Sequence, residues 1–158
     1  MEDVKRILAV SSMTKSSRKA IHYGVSLSKK YGTELYVLHV VYHPFGFDLK
    51  GWNLPIPSLE EEYKRIIKEA KEELHAMINK EKKKGLSIKE MIREGKPIKE
   101  ILKVVKEENI DLIIMLVHSE WRLEHFLFGR IKEEMIRKAP CSILLIKEEP
   151  GKIADYDD

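Results

Sequence analysis

The sequence has little of what several protein classes require. A single cysteine, Cys141, excludes an internal disulfide and any Cys-x-x-Cys redox or zinc motif, and we interpret it as an inert buried thiol. The longest apolar run, residues 110–117, is far shorter than the ~20 residues that span a bilayer. The first residues lack the apolar stretch and cleavage site of a secretory signal. We therefore expect a cytoplasmic protein without a membrane partner.

Charge of one sign is also scarce. Charged residues make up 35% of the 158 residues, yet 29 basic against 26 acidic side chains leave a net charge of +3. Along the sequence these charges are dispersed and form no basic arm, so the sequence does not indicate nucleic acid as a partner. The many Lys, Glu and Ile residues are typical of proteins from warm-living sources.

Five short apolar runs alternate with helical patterns along the chain. The runs have the length and β-branched content of buried strands, at 6–11, 35–41, 86–93, 111–117 and 142–146. Four amphipathic helices separate them, and fully buried strands joined by helices favour parallel pairing. We therefore expect one α/β domain over 1–147, a doubly wound parallel sheet with helices on both faces, followed by an acidic flexible tail over 148–158.

The helix patterns give finer expectations. In the first helix the predicted apolar face includes Tyr31, and Gly32 follows at the C′ position. In the second, Ser58 and Glu61 form a capping box, and the apolar face includes Ile66. The fourth helix has Ile131, Met135, Ile136 and Ala139 on its apolar face, and Pro140 ends it.

Three stretches resemble the universal stress protein family over nearly the whole chain, Lys5 to Lys147. Residues 6–10 with 16–21 resemble the first strand and helix of the family, and 94–97 with 111–115 resemble its third-strand turn and fourth strand. Residues 128–146, with Ala139-Pro-Cys-Ser inside, resemble its closing helix and strand. The resemblance implies a Rossmann-like sheet of the adenine nucleotide alpha hydrolase type, in the order 3-2-1-4-5, whose switch point lies between strands one and four.

Many members of that family bind ATP with a loop of the form Gly-x-x-Gly, nine residues, then Gly-Ser or Gly-Thr. Carried onto this chain, the first glycine falls on Leu116, the second on Ser119, the third on Gly129 and the hydroxyl residue on Arg130. The Asp that ends the first strand in the family falls on Ser12. Side chains at glycine positions restrict both positive φ and close approach of amides to phosphate, so we expect weak or lost ATP binding.

A nucleotide would lie in the crevice at the carboxyl ends of strands one and four. The candidate contacts are residues at strand ends and in the following loops: Ser11, Ser12, Val40, Val41, Met115, His118, Ser119, Gly129 and Arg130. At the start of the fourth helix a cation opposes the helix dipole, so Arg130 needs either Glu133, Glu134 or a bound anion beside it. No cofactor is required, and ATP and AMP are the candidate ligands.

Catalytic and metal chemistry have weak support. A nucleophile built from Ser11, Ser12 and His118 lacks a Gly-x-Ser-x-Gly motif and an oxyanion hole. The six histidines form no His-x-x-x-His pair on one helix, since His39 and His43 straddle a strand end. We expect no enzyme and no structural metal. The aromatic segment 42–57, with Phe45, Phe47 and Trp52, is expected to pack against the protein itself rather than cover the crevice or a partner surface.

The fifth strand is an edge strand in the implied order. Its apolar residues Ile143, Leu144, Leu145 and Ile146 carry no inward charge, and such an edge invites pairing with another chain. The family resemblance also implies dimers of this kind, so a homodimer is expected, the alternative being that the acidic tail covers the edge. The leading function is a universal stress protein-like binding or regulatory module in stress response. The alternatives are an AMP- or ATP-binding sensor and, with least support, a nucleotide-processing enzyme.

Overall fold

The computed structural model describes residues 3–11, 17–41, 57–117 and 133–147. The strands are β1 (Arg6–Ser11), β2 (Glu34–Val41), β3 (Ile88–Glu94), β4 (Leu112–Val117) and β5 (Ser142–Lys147). The helices are α1 (Ser17–Tyr31), α2 (Pro57–Lys83) and α3 (Pro97–Glu107), and residues 133–138 are helical (α4). The strands form one parallel sheet in the order β3-β2-β1-β4-β5, which confirms the expected doubly wound fold.

Side chains alternate between the two faces of the sheet and build two apolar cores. On one face α1 and α2 cover residues such as Ile7, Leu35 and Ile114, and we name it the α1/α2 face. On the other, α3 and α4 cover residues such as Leu8 and Ile113, and we name it the α3/α4 face. Strands buried on both faces explain the continuous apolar runs of the sequence.

Close contact between α1 and the sheet depends on a glycine. A Cβ at Gly24 would lie 2.8 Å from Cδ1 of Leu35 and 3.3 Å from Cβ of Ala9, so a larger residue would push the helix away from β1 and β2. The same helix ends as predicted, with Gly32 in the left-handed region at φ 67° and its N–H donating to the carbonyl of Ser28.

Three apolar-face predictions were wrong. The structure exposes 64% of Tyr31, 59% of Ile136 and 42% of Ile66, because each lies at the border of its helix stripe. The capping box was also misplaced. Helix α2 begins at Pro57, whose fixed φ suits a first helical position, so Ser58 lies inside the first turn.

The amino end of the sheet is fastened by one carboxylate far away in sequence. Asp111 Oδ2 accepts hydrogen bonds from the backbone N–H groups of Lys5 at 2.8 Å and Arg6 at 2.9 Å. The backbone of Asp111 also donates to the Arg6 carbonyl at 3.0 Å. These bonds set the register of β1 against β4, and with it the level at which β1 ends at the opposite edge.

Candidate functional site

The carboxyl edge of the sheet has its switch point beside the central strand, β1, and we name this position between β2 and β4 the notch. β1 ends at Ser11, which lies opposite His39, whereas β2 continues to Val41. On the other side Ala9 lies opposite Ile114, so β4 also extends past the level of Ser11. The strand order reverses between β1 and β4, because the crossover from β1 leads to β2 on one side and the crossover from β4 leads to β5 on the other. This is the place where parallel α/β sheets bind ligands.

The described candidate residues line both sides of this notch. Strand alternation places Ser11 and Val41 on the α1/α2 face, where Ser11 is 3% exposed. Val40 and Met115 lie on the α3/α4 face, and Met115 is buried in its core. The structure therefore brings these four residues to one edge of the sheet but divides their side chains between its two faces.

His39 adds a residue that the sequence analysis did not select. Its Nδ1–H donates to the Ser11 carbonyl at 2.9 Å, which joins the ends of β1 and β2. Burial lowers the pKa of His39, and the hydrogen bond to Ser11 together with the charge of Glu73 opposes that shift. The lowered pKa favours the neutral ring, and with Nδ1–H donating to Ser11 the neutral tautomer has Nε2 as an acceptor. The register of β2 against β1 places this histidine beside Ser11, and that register cannot be read from the sequence.

Leu116, at the position of the family's first glycine, is a core residue. It is buried on the α1/α2 face and lies inside β4, where it pairs with Ile146 of β5. A strand residue whose side chain packs in a core cannot open its backbone toward a phosphate without breaking that packing. The residue at the first glycine position of the family's nucleotide-binding loop is therefore part of the sheet in this chain.

The outer side of the notch is closed by contacts at the end of β3. The N–H of Gly95 donates to the Val41 carbonyl at 3.1 Å, with Gly95 at φ 137°. The hydroxyl of Tyr63 on α2 donates to Glu94 Oε2 at 2.8 Å, and burial together with this carboxylate raises the pKa of Tyr63 to about 12. These bonds tie β3, β2 and α2 together beside the notch.

Other predicted site residues lie outside the described residues. They are Ser12, His118, Ser119, Gly129 and Arg130. The aromatic residues Phe45, Phe47 and Trp52 and the tail 148–158 also lie outside the described residues. Of the two acidic candidates beside Arg130, Glu134 pairs with Lys138, whose hydrogen bond lowers the pKa of Glu134. Cys141 is half-buried, and its pKa is raised by burial first and by the charge of Asp111 second.

The apolar strand β5 lies at one edge of the sheet. Ile143 packs against the α3/α4 core, Leu144 against the α1/α2 core, and Ile146 is buried. Leu145 is 40% exposed, and Ile136 of α4, the helix that precedes β5 in the chain, is also exposed. Among the described strands, β5 has a neighbour on one side only, and its edge also carries an exposed apolar side chain.

The opposite edge, β3, has a different composition. Glu90 pairs with Lys82 of α2 at 2.5 Å, and Arg93 pairs with Glu107 of α3 at 3.1 Å. Lys89 donates to the hydroxyl of Tyr36 at 2.8 Å. Charged side chains on both faces protect an edge strand against pairing with another chain. Only the β5 edge lacks this protection among the described strands.

Two features are absent from residues 3–11, 17–41, 57–117 and 133–147. There, no cluster of three or more His, Cys, Asp or Glu side chains is arranged to hold a metal ion. None of the helices described is both long and apolar enough to cross a bilayer.

A five-stranded parallel sheet in this order, with helices on both faces and a switch point beside its central strand, defines a Rossmann-like α/β class of fold. The model of the universal stress protein family matches residues 3–147. The chain belongs to that family.

Individual relatives agree with this assignment. A universal stress protein of Methanocaldococcus jannaschii is 28% identical over 147 residues, covering 91% of this chain and 82% of the relative. The solved structure of a second protein from that organism has a TM-score of 0.68 at 24% identity and covers 93% and 98% of the two chains. A family member from Arabidopsis thaliana, solved with AMP bound, has a TM-score of 0.58 at 17% identity and covers 96% and 99%.

Proposed function

We propose that this chain is a non-catalytic binding or regulatory module of the stress response, homodimeric and cytoplasmic, with weak or lost ATP binding and no required cofactor. Membership of the universal stress protein family supports the stress-response role. The cytoplasmic placement rests on the sequence.

One observation carries the loss of ATP binding. Leu116 stands in a strand, in a core, where the family's loop has its first glycine. Amides that cradle phosphates need backbone freedom that a packed leucine in a paired strand does not have. Ser119 and Arg130 replace two further loop residues in the sequence.

A thermal-shift titration tests this step. Protein freed of carried-over ligand is heated with magnesium and increasing ATP, with GTP as the matched control. A ligand at about 100 times its Kd stabilises the folded state by about 2.7 kcal/mol, which raises the Tm of a domain this size by roughly 5–10 °C. We expect no shift at millimolar ATP. A saturating shift with ATP but not GTP would contradict the proposal.

A second candidate, an adenine nucleotide sensor, is favoured by the notch itself and by the relative that holds AMP. In that role Val40 and Val41 would lie near the base, and Ser12, Gly129 and flanking amides would meet the phosphates. AMP places less charge in the altered loop than ATP does. A Tm shift with AMP alone would therefore favour the sensor.

The homodimer is proposed to form through β5. Support comes from the contrast between the two edges, since β3 carries paired charges and β5 presents apolar residues with Leu145 exposed. Two copies that pair along β5 would bury this row and continue the sheet across the interface.

The exposed leucine gives the sharper test. Leu144 packs against a core, so changing it to Lys would also destabilise the monomer, whereas Leu145 is 40% exposed and tolerates a charge. We expect Leu145→Lys to be monomeric by light scattering after size exclusion. The matched control is Ile66→Lys, because Ile66 is 42% exposed on α2 and should leave the dimer intact. Equal masses for both variants would contradict the interface.

A further inference from the structure

The C-terminal ends of α1 and α2 form a dense cluster of lysines. Lys29 of α1 pairs with Glu81 of α2, and Lys84 reaches the same carboxylate at 3.3 Å. This shared glutamate holds together two helix ends that are about fifty residues apart in sequence. We name the resulting surface the lysine platform, and it comprises Lys29, Lys30, Lys80, Lys82, Lys83 and Lys84.

The platform is more basic than the rest of the protein. Its six lysines face two carboxylates, Glu81 and Glu90, so it carries +4, whereas the whole chain carries +3. The remainder of the chain thus sums to −1. A hydrogen bond from Lys29 lowers the pKa of Glu81, which keeps that carboxylate charged and committed to its lysines.

Three of the lysines are not used by these pairs. Within the described ranges, Lys80 and Lys83 have no ion-pair partner, and Lys30 lies over the ring of Tyr31 at 5.5 Å from its centroid. Lysines in a last helical turn complement the helix dipole. That role accounts for individual lysines at a helix end. It does not account for Lys84, which lies beyond α2, or for the pairing of both helix ends with one carboxylate.

The platform lies away from the sites described above. Helix α1 ends at Tyr31, just before β2 begins at Glu34, and α2 ends at Lys83, just before β3 begins at Ile88. Both helix ends are therefore at the amino edge of the sheet, opposite the notch. Helix α2 packs mainly on β3 and β2, on the far side of the sheet from β5, whereas α1 packs mainly on the central strands β1 and β4. A dimer through β5 would leave the lysines of α2 accessible.

We propose that the lysine platform docks an acidic segment of a partner protein, that is, several Asp or Glu side chains in a row. Arginine, the residue that recognises phosphates by paired hydrogen bonds, is absent from the platform, and this disfavours nucleic acid. Among the described residues beside the platform, Tyr31 has the one exposed aromatic ring, which lies under Lys30, and none has an exposed apolar side chain that could enter a lipid surface. Flexible point charges suit carboxylates at varied spacing.

Fluorescence anisotropy of labelled octaglutamate with the full-length protein tests the proposal at about 50 mM salt, where screening is modest. The variant Lys30→Gln, Lys80→Gln, Lys83→Gln removes the three lysines without an acidic partner. We expect it to bind the peptide roughly tenfold more weakly, since exposed charge pairs each contribute a small factor. Raising the salt should weaken binding to the parent protein.

A second triple variant controls for net charge. Lys99→Gln, Lys103→Gln, Lys106→Gln removes three exposed lysines from α3 and should change the affinity by less than about twofold. Equal weakening by both variants would overturn the proposal, because it would mean non-specific attraction. Platform-dependent binding of an oligo-dT that is tighter than that of octaglutamate would overturn the assigned partner class. If the peptide binds only after residues 148–158 are deleted, the chain's own acidic residues are the occupant, and an external partner is refuted.

Discussion

Replacing Asp111 by Ala should destabilise the fold by about 2–3 kcal/mol. The carboxylate accepts two backbone hydrogen bonds, from Lys5 and Arg6. A hydrogen bond to a charged group contributes about 1.5–3 kcal/mol, and a buried donor left without a partner costs about as much. The Lys5 bond is exposed, so water replaces it, whereas the Arg6 bond is partly buried and carries most of the effect.

Urea unfolding followed by circular dichroism measures this difference, and the Tm should fall by roughly 5–10 °C. Asp111→Asn keeps an acceptor oxygen but loses the charge, so it should lose about half as much stability. Asp3→Ala, an exposed carboxylate near the same strand, should change the free energy of unfolding by less than about 0.5 kcal/mol. If Asp111→Ala changed it by no more than Asp3→Ala does, the assignment of Asp111 as the anchor of β1 would be refuted.

Three further predictions follow from buried groups. Burial lowers the pKa of His39 below 6.5, so the unfolded chain takes up the proton first and the free energy of unfolding falls as the pH drops below 6.5. His39→Asn should flatten this loss of stability between pH 7 and 5 in urea titrations. An unchanged slope would be inconsistent with the burial of His39. Gly24→Ala should cost about 1–3 kcal/mol through its contact with Leu35, and a gain in Tm would contradict the close approach. Burial first and the charge of Asp111 second raise the pKa of Cys141, so it should react slowly with a disulfide reagent near pH 8 and somewhat faster in Asp111→Asn; a rate equal to that of free cysteine would contradict the raised pKa.

Much of the fold could be predicted from the sequence because buried parallel strands are continuous apolar runs. Four of the five strands agree with the structure within one residue at both ends, and Gly32 ends α1 as expected. The exposure of Tyr31 could not be predicted, since residues at the border of a helical stripe are buried or exposed according to how the helix rolls on the sheet.

Contacts between segments that are distant in the sequence were the main features that could not be predicted. Asp111 and Arg6 are 105 positions apart, and the hydrogen bond of His39 to Ser11 depends on the register of two strands. The lysine platform was also invisible, because its lysines lie in two separate segments within a nearly balanced sequence. The dimer edge, the nucleotide contacts at the notch, the cytoplasmic location and the warm-living source stay predictions.

The most direct test of the central claim is calorimetric titration of ATP and AMP, with magnesium, into protein freed of carried-over ligand. The account predicts no binding heat with ATP at concentrations where a Kd of about 100 μM would be evident, a free energy of roughly −5.5 kcal/mol. Micromolar or tighter ATP binding would mean that the altered loop still cradles a triphosphate despite Leu116, and the proposal of lost ATP binding would be wrong.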